Sequence, residues 1–70
     1  MKTSQEWITE IENQIYELKK KGFHYHYIIM ASMTDQIAMI VETYFKEYYT
    51  VESKKCGQCV GKWDIIISWT

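Results

Sequence analysis

The chain has no arginine and no proline, and only three glycines among its 70 residues. Without arginine it lacks the planar fork that grips phosphate or guanine at two points, so any nucleic-acid surface rests on lysine alone. Eight lysines against nine acidic residues leave a net charge of −1, which gives no general pull toward polyanions or an anionic membrane. The longest apolar stretches, Tyr27 to Ala31 and Ile37 to Val41, fall far short of the ~20 residues a membrane helix needs. Met1 to Glu6 are polar and mixed in charge, unlike a secretory leader. The expected compartment is therefore the cytoplasm, where the chain's two cysteines stay reduced.

What is present is the balance of a globular protein: 47% apolar and 24% charged residues, in one small domain spanning residues 1–70. A chain this short hides only about 60% of its unfolded surface, so its core is thin.

The first segment carries a helical pattern. Thr3 with Glu6 three residues later forms a capping box, with Ser4 as a second cap candidate. Ile8, Ile11, Ile15 and Leu18 then draw one apolar stripe. Glu6, Glu10 and Glu12 stand near its start and Lys19, Lys20 and Lys21 near its end, each favourable to the helix dipole, and Gly22 stops it. From Phe23 to Ser32 the period becomes two, which predicts a strand. One face carries Phe23, Tyr25, Tyr27 and Ile29; the other carries His24, His26, Ile28 and Met30. A second helix follows, capped by Ser32 or Thr34, with Asp35 in its first turn. Its apolar stripe of Ile37, Ile40, Val41, Tyr44 and Tyr48, flanked by Ala38 and Phe45, is wider than one partner surface requires.

Tyr49 to Lys55 and Lys62 to Trp69 read as a final pair of strands. A two-residue turn at Gly57-Gln58 would place Glu52 opposite Trp63 and mix the faces, which a half-buried sheet does not tolerate. One extra residue, with Gly61 the natural bulge, sets Val51 against Ile65, Tyr49 against Ile67 and Ser53 against Trp63. The run Ile65-Ile66-Ile67 suits a central strand, while Glu52, Lys54 and Lys55 suit a protected edge. The expected fold is α+β: helix-strand-helix-strand-strand, with a three-stranded antiparallel sheet in the order 1-3-2 and both helices on one face.

The C-terminal string Cys56-x-x-Cys59-x-Gly61-Lys62-Trp63-Asp64-Ile65-x-Ile67-Ser68-Trp69 resembles the end of small uncharacterised proteins from phages and prophages of Gram-positive bacteria. Those share the same order of elements; this chain departs where they tend to carry Gly, at Val60 and at the Tyr48-Tyr49 junction. The resemblance implies a phage origin. Small early phage proteins of this size are often inhibitors of host machinery, anti-CRISPR and other anti-defence proteins among them.

Several constellations offer chemistry. Cys56 and Cys59 could form half of a zinc site, with His24 and His26 as the only intrachain partners. Those histidines belong at the sheet end opposite the hairpin tip, some six residues and on the order of 20 Å away, so no metal or other cofactor is expected. A redox role is not expected either, because CGxC sites place the first Cys at a helix N-terminus and here a strand follows. His24 and His26 with Asp64 have no accompanying nucleophile, and no phosphate loop, paired-carboxylate motif or HExxH occurs. The chain is not expected to be an enzyme. Lys54, Lys55 and Lys62 around the hairpin could contact phosphates, although three lysines without arginine more often solubilise and guard an edge.

The remaining signal is the aromatic content, 16% of the chain. Tyr and Trp anchor interfaces because they pair large area with a polar handle. The expected function is a non-enzymatic protein-binding module that occludes a host protein through Trp7, Tyr16, Met39 and Tyr48, with Glu42 and Glu47 as rim charges. The alternatives are a small nucleic-acid or nucleotide binder using Lys54, Lys55 and Lys62, and a zinc-stabilised module using Cys56 and Cys59. A homodimer is also expected, joined through the outer sides of the helices or through an uncovered sheet face bearing Ile28, Met30 and Ile66.

Overall fold

The computed structural model describes residues 2–55, 57 and 61–69, and Met30 by its backbone alone. The first helix, α1 (Ser4–Lys20), starts where its sequence provides for orphaned N–H groups. The Glu6 amide donates to Thr3 Oγ1 at 3.2 Å and the Thr3 amide donates to Glu6 Oε1 at 2.9 Å, which closes the capping box. At the other end Gly22, at φ +86°, turns the chain left-handed. Its amide donates to the Lys19 carbonyl at 3.1 Å and the Phe23 amide to the Leu18 carbonyl at 3.0 Å, the paired bonds of a Schellman stop.

Strand β1 (Tyr25–Ser32) leads to helix α2 (Asp35–Lys46), capped by Thr34, whose Oγ1 accepts from the Ile37 amide at 3.2 Å. Strands β2 (Thr50–Lys55) and β3 (Lys62–Ser68) complete an antiparallel sheet in the order β1-β3-β2. The α+β class agrees with the sequence pattern. Ile8, Ile11 and Ile15 of α1, and Ala38, Val41 and Phe45 of α2, pack against Ile65 and Ile67 of β3, with Val51, Ala31 and Met33 around them. Both helices therefore cover one face of the sheet.

Two details differ from the sequence-based expectation. Val51 lies opposite Ile67, Ser53 opposite Ile65 and Lys55 opposite Trp63, so the hairpin keeps the expected parity but shifts by two residues. The reason is visible on the polar face. The expected register would have set Lys54 against Lys62 and Glu52 against Asp64, two like-charge pairs. The observed one sets Lys54 against Asp64 and Glu52 against Ile66.

The second difference concerns β1. Ile28 pairs with Ile65, but the next helix-side partner of β3, Trp63, pairs with Ala31, so Ile29 and Met30 together oppose Asp64 in a bulge. Ile28 packs against the core and is not on the uncovered face. Tyr25, Tyr27 and Ile29 accompany Ile66 there instead. Gly61, the expected bulge site, takes φ +75° and accepts from the Met33 amide at 3.0 Å.

Candidate protein-docking surface

Because alternate residues of a strand point to opposite faces, the register defines the uncovered face residue by residue. Tyr25, Ser68 and Thr50 form one row across the sheet; Tyr27, Ile66 and Glu52 form the next; Asp64 and Lys54 lie beyond them. Apolar area collects on the β1 half and charge on the β2 half. Tyr25, Tyr27 and Ile29 are 55%, 49% and 64% exposed, far more than the isolated apolar residues of an ordinary surface require. Their hydroxyls and rings give this half large, stiff side chains with a polar tip.

β1 is also an edge strand, since among the described residues only β3 pairs with it. The Trp69 amide donates to the His24 carbonyl at 2.9 Å, which fixes the hydrogen-bond phase of the ladder. In an antiparallel pair such residues alternate, so His24, His26 and Ile28 turn their backbone groups toward β3, while Tyr25 and Tyr27 turn theirs outward. β1 carries no Asp, Glu or Lys, whereas the opposite edge carries Glu52, Lys54 and Lys55.

The anchors expected from the sequence do not converge. Met39 and Tyr48 are both highly exposed, but Met39 lies within α2 and Tyr48 past its C-cap Glu47, so the helix does not present them on one face. On α1 a nine-residue spacing, about two and a half turns, puts Trp7 and Tyr16 on opposite sides. Trp7 is not an exposed anchor at all: it packs against the core, with the Lys2 ammonium 4.3 Å from its ring centroid. Tyr16 is exposed, with Lys20 4.7 Å over its ring. Glu42 is partly buried and engaged, accepting from Ser53 Oγ at 2.9 Å and pairing with Lys46 at 2.8 Å. The Lys46 contact, and then the Ser53 hydroxyl, hold its carboxyl below the usual range despite partial burial. It is a strut between α2 and β2, and not a rim charge. Glu47 is exposed and forms the C-cap of α2.

The three hairpin lysines each meet a different neighbour. Lys55 pairs with Asp35 at 3.0 Å, Lys62 donates to Ser32 Oγ at 2.6 Å, and Lys54 faces Asp64 across the ladder. Cys56 and Cys59, the alternative zinc ligands, lie outside the described residues. His26 pairs with Ile67, near the end of β3 remote from residues 56–61. It turns to the helix side while Asp64 turns to the open face, so the sheet separates the two groups an acid/base site would need together. Its Nε2 is buried without a hydrogen-bond partner, and burial lowers its pKa.

Two cavities flank these surfaces. One, of about 600 Å³, is lined by Lys19, Tyr48, Tyr49 and Trp69 where both helices end. Its cation position is already filled: Lys19 Nζ donates to the Tyr49 hydroxyl at 3.2 Å and lies 5.8 Å from the Trp69 ring centroid. The Trp69 indole donates to the Phe23 carbonyl at 3.1 Å, which locks the corner. The other, of about 330 Å³, is an apolar notch beside β1 lined by Asn13, Gln14, Glu17, Leu18 and His26.

The sequence-based reading missed Tyr25, Tyr27 and Ile29 as surface candidates. The available signal was that this face of β1 is wholly aromatic and aliphatic, while the other carries His26, with His24 just before the strand. No family model matches the chain, and no curated protein or solved structure matches it.

Proposed function

We propose that this protein is a non-enzymatic binding module of phage type that acts in the host cytoplasm by covering a surface of a host protein, in the manner of an anti-defence inhibitor. The observation that carries the reading is the open sheet face, where Tyr25, Tyr27 and Ile29 cluster around Ile66 although the helix side already holds a closed core. Rings that lose few rotamers on docking are suited to occlusion, and Glu52, Lys54 and Asp64 supply a charged border on the β2 side. Engagement of Lys55 with Asp35 and Lys62 with Ser32 weighs against a phosphate-binding role.

The test compares two variants by affinity capture from host extract followed by measurement of Kd with the purified captured protein. Tyr27→Ser with Ile29→Ser should weaken binding at least tenfold, whereas Lys54, Lys55 and Lys62 changed together to Glu should leave it within about threefold. A Kd that rises log-linearly with salt and is lost with the lysine triple identifies a nucleic-acid binder and overturns the reading.

A further inference from the structure

We propose that the uncharged edge of β1 pairs with the same edge of a second copy of this chain, antiparallel about a two-fold axis at His26, joining two three-stranded sheets into one of six strands. The inference is independent of what docks on the open face, because it rests on backbone groups and on the sheet edge.

An unguarded edge strand is a template for another strand, and proteins normally blunt such edges with charge, proline or bulges. Here the two edges differ: β2 has Glu52, Lys54 and Lys55, while the eight residues of β1 carry no charge. The bulge at Ile29 and Met30 limits the straight part of β1 to Tyr25–Ile28. Within that stretch the outward backbone groups belong to Tyr25 and Tyr27. A two-fold axis at His26 sets Tyr25 of each copy against Tyr27 of the other, so each pair exchanges two hydrogen bonds and all four outward groups of each chain are satisfied.

The side chains suit the same arrangement. On the open face, Tyr25 and Tyr27 of the two copies form a four-ring cluster, an aromatic pairing favoured across strands. On the helix side, Ile28 of the second copy approaches the apolar notch beside His26. The titratable groups near the axis are Tyr25, His26 and Tyr27 on β1, His24 just before it and Glu17 on α1, and no acidic residue or lysine of β1 meets its own copy. The assembly also closes. Both outer edges of the six-stranded sheet are β2, whose charges discourage further addition, so pairing stops at a dimer.

The test uses the full chain made by chemical synthesis, with and without a methyl group on the Tyr27 amide nitrogen. That methyl removes an outward donor and leaves every side chain in place. Sedimentation across a concentration series should show a monomer–dimer equilibrium whose Kd rises at least tenfold on methylation, with unchanged circular dichroism. Register is read separately with His26→Cys in a background of Cys56→Ser and Cys59→Ser. The two-fold makes position 26 a non-hydrogen-bonded pair with Cα atoms about 4.5 Å apart, within disulfide reach. Air oxidation should give a covalent dimer at position 26, and Glu52→Cys in the same background should not. A concentration-independent monomer mass overturns the proposal, as does a dimer that is insensitive to methylation and does not cross-link at position 26.

Discussion

Lys54 and Asp64 stand directly opposite one another on the open face of the sheet, and their pairing distinguishes the observed hairpin register from one shifted by two residues. Both registers bury the same face, so apolar packing alone does not choose between them. Charge does, because the shifted hairpin opposes two lysines and two acidic residues.

That relationship predicts a charge-swap result. Asp64→Lys should destabilise by about 0.5–1 kcal/mol, and Lys54→Asp in the same chain should recover most of that loss. Urea denaturation of the four chains of the cycle measures the coupling, and a coupling near zero would show that the connection alone sets the register.

The centre of the core should be far less tolerant. Phe45 of α2 is fully buried in the core that includes residues of α1 and the sheet, with its ring edge-on to Tyr44 at 5.0 Å. Phe45→Ala should cost about 3–5 kcal/mol and Ile67→Val about 0.5–1.5 kcal/mol. In a domain this small the first should leave little folded protein by circular dichroism, and the second should lower the midpoint of a cooperative transition.

Local stops and starts were the most legible features, because their causes lie within a few residues. The Thr3–Glu6 box, Gly22 and Thr34 all act where the pattern put them. Thr3→Ala should cost about 1 kcal/mol, and Gly22→Ala about 1–2 kcal/mol because its backbone is left-handed. The hairpin parity was legible from alternation, but its offset depends on charges meeting across the ladder. Which face of β1 is covered was not legible, since both faces are largely apolar and the bulge at Ile29 and Met30 changes phase midway. The candidate anchors do not share a face: their residue types are those of an interface, but Trp7 and Tyr16 fall on opposing sides of α1, and Tyr48 lies past the end of the helix that carries Met39.

Acid should weaken the fold in two windows. Burial lowers the His26 imidazole, so the unfolded chain binds its proton more readily than the folded one. Stability from this group is complete above the ordinary histidine value of about 6.5 and declines as the pH falls below it. His26→Leu should flatten the dependence of the urea midpoint between pH 7.5 and 5.5. Glu6 and Glu42, held low by Thr3 and by Lys46, contribute in a more acidic window: their stabilisation is present above the usual carboxylate range and is lost as the pH drops through their folded-state values. A midpoint equally steep in the His26→Leu chain would assign the upper window to another group.

Tyr27→Ser and Ile29→Ser should leave the thermal midpoint nearly unchanged, within the ±0.5 kcal/mol typical of surface positions. A large loss measured by calorimetry would show that these side chains support the fold, and would remove them as docking residues.

β3 is the last of the three strands to leave the ribosome, yet among the described residues it is the only sheet neighbour that β1 and β2 have. No rung of the sheet can form while the chain is still threading through residues 62–68, although α1 can wind as soon as its caps emerge. Folding is thus gated by completion of the final hairpin arm. Until that arm docks, the uncharged stretch from Tyr25 to Ser32 has no strand on either side, and that interval of folding carries the greatest aggregation risk.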